Sequence, residues 1–278
     1  MRLWNRSADK VRDWIASLPA DDATRVTAAT SAADAVPSTD GVVFSLVSND
    51  AALDAITTGD DGILAALGPG GIHVCLSTVS PAMTSAQAAA HARRGIAYIA
   101  CPVFGRPPVA AAKKLIVVAG GDPCAITRIS SLLEATSQKI VRAGDTAAAA
   151  SSLKLAGNFM ILATIEAQAE AYTLAEVSGV PRATAHDLLC GPTGLFATLP
   201  IQRIYGEMVA AQRYEPVGFT AENGLKDASL VCQAAEAGHL RLPIAELVRD
   251  RLSTILSEPR GAERDWASFA ALVKPDSE

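Results

Sequence analysis

Aromatic residues are scarce in this chain of 278 residues, with six Phe, four Tyr and three Trp. Half of the residues are nevertheless hydrophobic, and alanine supplies much of that half, which points to tightly packed helices built on small side chains. Cysteine is sparse and its spacing is uninformative: the five, at 75, 101, 124, 190 and 232, contain no CxxC pair. That excludes a zinc ribbon or a disulfide framework and leaves buried free thiols in a reducing compartment. The four histidines, His73, His91, His186 and His239, lie far apart in sequence with no HExxH pair, so no metal site is expected. There is no basic run, and a net charge of −5 gives no pull toward nucleic acid or an anionic membrane. No apolar segment follows the first basic residue, so no signal peptide is read. The longest apolar stretch, LAGNFMILATI, contains Asn158 and is too short to cross a bilayer. These absences together place the protein in the cytosol.

What is present falls into two halves, and the length suffices for two domains with a substantial core. Four short apolar, β-branched runs read as strands: GVVFSLVSN (41–49), GIHVCLSTVS (71–80), GIAYIACPVFG (95–105) and KLIVVAGG (114–121). Helical segments separate the first three, the pattern of βαβ units in a mostly parallel sheet. The chain opens the same way, with Met1 to Trp4 as the end of a strand, a polar NRS turn and a helical ADKVRDWIASL. From Ala147 to Ser178 one long helical pattern follows, stopped by Gly179 and Pro181. It would run roughly 45 Å, too long to bury in one small domain, so it joins two domains or packs on another subunit. The segments after it are all helical in pattern, and no strand signal recurs.

Four short motifs carry chemistry. STVSP (Ser77–Pro81) follows the second of the four strands, at the strand end where open α/β sheets bind ligands. KLAGN sits early in the long helix, with Lys154 and Asn158 four residues apart and so on one face. A lysine in an apolar, alanine-rich stretch is desolvated, which lowers its pKa and suits it to proton transfer. On the residues alone it equally reads as a lysine snorkelling from a helix start. GLKDASL places Lys226 and Asp227 together, which on the residues alone is a solvated pair at a helix start. The NRS turn offers Arg6 between Asn5 and Ser7 with no acid beside it. It reads either as a solvated turn or as a guanidinium able to grip a phosphate.

In this order and spacing the four motifs resemble the β-hydroxyacid dehydrogenase family, which includes 3-hydroxyisobutyrate dehydrogenases and glyoxylate/succinic semialdehyde reductases and has imine reductases as relatives. The resemblance runs from Arg2 to about Trp266. It implies a Rossmann-type NAD(P)-binding domain, a long helix and a helical domain that builds a dimer. It assigns Lys154 as the catalytic acid/base and Asn158 as a substrate hydrogen-bonding partner. Lys154 also separates subfamilies, because imine reductases typically lack this lysine. Thr78 and the segment Leu46, Val47 and Ser48 would contact cofactor, and Lys226 would reach over its nicotinamide side. Ser77, Phe104, Gly105 and Asp227 would serve the substrate. Asn5, Arg6 and Ser7 would sit at the adenosine ribose, where an arginine in place of an acid favours NADP over NAD.

Three features depart from the family pattern. No GxGxxG occurs, so the chain starts at the family's second strand and lacks its first strand and its pyrophosphate-binding helix start. Either the natural protein is about thirty residues longer, one strand–loop–helix segment, or the gene is a remnant. The retention of Lys154, Asn158, Thr78 and Lys226 favours the former. ACPVFGRPP stands where the family commonly has DAPVSGG, so Phe104 makes the substrate pocket smaller or more apolar, and Arg106 adds a charge or faces water. Alanines replace the glycines usual before the lysine.

The expected fold is thus α/β plus all-α. Residues 1–146 form an N-terminally truncated Rossmann-type domain, and 147–278 a long interdomain helix with a helical substrate and dimerisation domain. The expected function is NADP-dependent oxidoreduction between a small hydroxy acid and its aldehyde or keto acid. The expected partners are a small carboxylate or aldehyde substrate and a second copy of the chain. The alternative is a catalytically inactive dimeric remnant or binding module.

Overall fold

The structure, a computed structural model, describes residues 1–274. The chain separates into two compact units, 1–154 and 155–278. In the first unit, β1 (Arg2–Leu3), α1 (Ala8–Ala16), α2 (Ala20–Ala23) and β2 (Thr27–Ala28) come first. Then follow β3 (Val42–Ser45), α3 (Asp50–Thr58), α4 (Ile63–Ala66), β4 (Ile72–Cys75), α5 (Pro81–Ala92) and β5 (Ala97–Ala100). β6 (Val103–Phe104), α6 (Pro107–Ala111), β7 (Leu115–Gly120), α7 (Pro123–Glu134) and β8 (Ser137–Gly144) complete it, and α8 (Ala147–Val177) leads onward.

The four apolar runs are β3, β4, β5 with β6, and β7. β3, β4 and β5 pair in parallel, as βαβ connections require. β7 runs antiparallel to β5 and β6 and parallel to β8, so the six-stranded sheet is mixed. β1 and β2 form a separate parallel pair. Ile72, Val74, Ile99, Val117 and Ala119 point to one side of the sheet, where they pack on Ile126, Ile129 and Leu133 of α7. On the other side Cys75, Tyr98, Ala100 and Val118 pack with Leu53 and with Ala147 and Ala150, the start of α8. That approach is close. A Cβ on Gly120 would lie 2.9 Å from Ala150 Cβ and 2.6 Å from the Thr146 carbonyl, so the small residues of β7 and α8 set where the helix starts.

The buried polar groups of this sheet bring together two histidines that lie far apart in sequence. Eighteen residues apart, His73 on β4 and His91 on α5 meet ring to ring, Nδ1 to Nε2 at 2.9 Å. The chain of bonds fixes the tautomers. The Gln87 carbonyl can only accept, so His91 Nδ1–H donates to it at 2.7 Å. His91 Nε2 then accepts from His73 Nδ1–H, and His73 Nε2 accepts from the Ser45 hydroxyl at 2.7 Å. Tyr98 stands edge-on to His73 with ring centroids 5.2 Å apart. Burial drives both imidazoles toward the neutral form, His73 well below the usual range and His91 down to about 4.

The second unit consists of the rest of α8, α9 (Arg182–Cys190), α10 (Pro200–Ala210), α11 (Ala221–Ala237) and α12 (Pro243–Ser257). Two 3₁₀ turns follow, Gly261–Glu263 and Trp266–Leu272. The latter falls where the sequence RDWASFAALV reads as a helix. Leu162, Ile165, Ala169 and Tyr172 of α8 share a core with Tyr205, Val248, Leu252, Trp266 and Phe269.

One further expectation is corrected here. All five cysteines are free, but Cys124, in the first turn of α7, is exposed, and Cys232, within α11, is half-buried. The stretch around Asn158, taken alone as too short to span a bilayer, is extended by flanking alanines into a helix of 31 residues. By length and composition that helix, Ala147–Val177, could cross a membrane. A core helix of a globular protein meets the same criterion, and this one buries Lys154, Asn158 and Glu166 along its length.

Candidate active site

In the first unit the expected cofactor residues fall at the C-terminal ends of parallel strands, where backbone groups released from the ladder face a ligand. Asn5, Arg6 and Ser7 follow β1 and are exposed. The Asn5 side-chain oxygen accepts from the Ser7 amide at 2.9 Å, closing a tight turn. Ser7 is the first residue before α1 and makes no side-chain cap. The nearest acid, Asp9, is paired with Arg12.

Leu46, Val47 and Ser48 follow β3, and Ser77 and Thr78 follow β4. The two loops are tied together, because the buried Ser77 hydroxyl accepts from the Val47 amide at 2.7 Å. A second tie joins Asp50 to the Ser80 amide at 2.9 Å and to its hydroxyl at 2.5 Å. Ser80 also caps α5, accepting from the Met83 amide. Leu46 and Ser48 stay exposed and Thr78 half-buried. These loops therefore keep exposed side chains and backbone at the strand ends while the bonds beneath them fix their spacing. Ser77, read from sequence as a substrate group, is first of all the buried tie between them.

Lys154 lies one turn beyond Ala150 on α8 and is 7% exposed. Its Nζ stands 3.7 Å from the centroid of the Phe104 ring. Phe104 ends β6, opposite Ile116 of β7. Gly105 follows with φ of +144°, where a Cβ would meet Leu115 Cδ2 at 2.6 Å, so only glycine fits the turn that leaves the ring in place.

In the second unit Asn158, one helical turn along α8 from Lys154, is buried and donates through Nδ2 to Asp227 Oδ2 at 2.6 Å. Asp227, on α11, is fully buried, and its Oδ1 lies 2.8 Å from Lys226 Nζ. The carboxylate read from sequence as a substrate group thus holds an amide and an ammonium in place. A separate ion pair, half-buried Arg251 with buried Glu166 at 2.9 Å, went unread in the sequence. Burial raises the Glu166 carboxyl to about 7, against the pull of Arg251 and with a push from Glu170. Among the described residues no group of three His, Cys, Asp or Glu side chains could hold a metal ion.

Residues 1–144 match the family described as the NAD binding domain of 6-phosphogluconate dehydrogenase. Residues 148–273 match the NAD-binding domain of NADP-dependent 3-hydroxyisobutyrate dehydrogenase. The chain is 31% identical to the uncharacterized oxidoreductase YfjR of Bacillus subtilis, over 99% of this chain and 91% of that one. It is 30% identical to the NAD-dependent L-serine dehydrogenase of Pseudomonas aeruginosa, over 89% and 83%. Its fold is that of the Mycobacterium tuberculosis 3-hydroxyisobutyrate dehydrogenase solved with L-serine. That comparison has a TM-score of 0.77 and 25% identity over 92% of this chain and 89% of that one. The chain belongs to the β-hydroxyacid dehydrogenase family. It is an NAD(P)-dependent oxidoreductase acting on hydroxyl groups, with a Rossmann-like domain followed by a helical one.

Proposed function

We propose that the protein interconverts a small hydroxy acid and the corresponding aldehyde or keto acid with NADP, using Lys154 as its acid/base. The observation that carries this reading is Lys154 itself: a buried lysine on the alanine-rich start of α8, one turn from Asn158. Bound nicotinamide supplies or accepts the hydride. Lys154 Nζ gives a proton to the carbonyl oxygen during reduction and takes it back during oxidation. Asn158 orients the same oxygen, held by Asp227, which also pairs with Lys226. Ser77 accepts from Val47 and keeps its own O–H to donate to a substrate carboxylate. Gly105 gives that carboxylate close backbone approach. L-serine, named for two of the relatives above, is of the same chemical class.

The residues present suit the two ends of the dinucleotide. Asn5, Arg6 and Ser7 would hold the adenosine end, and an unacidic turn with an exposed guanidinium suits a 2′-phosphate. Leu46, Val47, Ser48 and Thr78 would run along the cofactor, and Lys226 would serve its nicotinamide side. We place the protein in the cytosol as a homodimer. Apolar side chains exposed along and after α8, among them Met160, Leu174, Leu188 and Leu195, support the dimer, and a monomeric mass in sedimentation would overturn it.

Lys154→Ala is expected to lower kcat by about 10²- to 10⁴-fold while NADPH still binds, measured by fluorescence titration beside steady-state turnover. Wild-type turnover by that variant would end the reading. Arg6→Ala should raise KM for NADPH about tenfold and leave KM for NADH unchanged. Equal effects on both cofactors would end the NADP assignment.

A further inference from the structure

The geometry points to Phe104 as the residue that positions Lys154, its ring face serving as the seat of the ammonium. The inference rests on the reading of Lys154 as the acid/base and goes beyond it. A lysine is a point charge on a flexible four-carbon stem with rotatable donors. Without a fixed contact its Nζ samples many positions, and a proton donor displaced by about an ångström loses much of its rate. Here Nζ stands 3.7 Å from the ring centroid, inside the range in which an aromatic face attracts a cation, most strongly where water is excluded. Lys154 is buried.

The seat is itself fixed from three directions. Phe104 is held in the β6–β7 ladder opposite Ile116. The ring packs on the cluster that contains Ala147 and Ala150, the turns of α8 leading to Lys154. The chain leaves through Gly105 in a conformation that Leu115 and Val109 close off. One strand end and one helix start, both set against β7, therefore aim ring and ammonium at each other. During reduction the proton leaves Nζ for the carbonyl oxygen as the hydride reaches the carbonyl carbon. The neutral amine then regains a proton from solvent and returns to the ring face.

The test replaces Phe104 with 4-fluoro-, 3,5-difluoro- and 3,4,5-trifluorophenylalanine, which withdraw electron density from the ring face at nearly constant shape. Phe104→Tyr, Phe104→Leu and Lys154→Ala are measured beside them. The expected result is a stepwise fall in kcat along the fluorinated series, about two- to thirtyfold overall, with Tm and the Kd for NADPH unchanged. Phe104→Tyr should keep kcat within about twofold, and Phe104→Leu should fall at least as far as the trifluoro variant. A flat or rising kcat along the series overturns the inference, as does a fall in Tm or NADPH affinity that accounts for the loss. Lys154→Ala separates the two claims. If it is inactive while the series is flat, only the role of Phe104 fails. If it turns over like the wild type, the acid/base reading fails with it.

Discussion

In the nucleotide-binding unit one set of buried polar groups is neutral and joined in a line: the Ser45 hydroxyl to His73, His73 to His91, and His91 to the Gln87 carbonyl. In the helical unit two buried carboxylates are instead paired with charged partners: Glu166 with Arg251, and Asp227 with Lys226 and the Asn158 amide. The neutral line costs little to desolvate and has one tautomer at each ring. It clamps β3, β4 and α5 beneath the loops that carry Leu46 to Ser48 and Ser77 to Thr78. The charged pairs are costly to bury and hold only in good geometry. They occur on helices, which have no ladder to align neighbours, and one of them fixes Asn158 and Lys226. Each unit thus fixes polar side chains in its interior with the device its secondary structure leaves open.

The comparison can be broken hardest at Arg251. Arg251→Ala leaves Glu166 buried without its cation and should cost about 3–5 kcal/mol at pH 8, read from urea unfolding. The loss should shrink at pH 5, where Glu166, raised to about 7, takes up a proton. An equal loss at both pH values would mean that the pair's charge is not what matters. In the other unit Ser45→Ala leaves His73 Nε2 buried without a donor and should cost about 1–3 kcal/mol, with little change between pH 8 and pH 7. A loss as large as that of Arg251→Ala would erase the contrast between neutral and charged interiors.

The strand pattern of the first unit was legible in the sequence because β3, β4, β5 and β7 are buried, β-branched and bounded by turns. β8 was not. Its Lys139 and Arg142 interrupt the apolar run, and both are exposed on a strand that pairs, among the described residues, only with β7. Edge strands tolerate charge and so lose their signature. The helical spacing of Lys154 and Asn158 was legible because both lie on one element. The bond from Asn158 to Asp227, 69 residues away, was not, and neither was the ring of Phe104 under Lys154, because each pairing is made by packing between elements. The bond between His73 and His91 was not legible for the same reason.

The smallest effect expected is a divergence with pH in the wild-type chain. The Glu166 carboxyl is raised in the folded state, so its contribution is complete below about 4.5 and is lost as pH rises through about 7. His91 is lowered, so its contribution is complete above about 6.5 and is lost as pH falls toward about 4. Between pH 7 and pH 5 the helical unit should therefore gain protection from amide hydrogen exchange while the nucleotide-binding unit loses it, after correction for intrinsic rates. Parallel changes in both units would show that other groups govern the pH dependence.

The measurement that bears most directly on the whole account is rescue of Lys154→Ala by small primary amines of graded basicity during carbonyl reduction with NADPH. If Lys154 transfers the proton, the added amines restore turnover, and the restored rate depends on amine pKa. Full turnover without amine would contradict the assignment of Lys154. So would rescue that follows amine size alone.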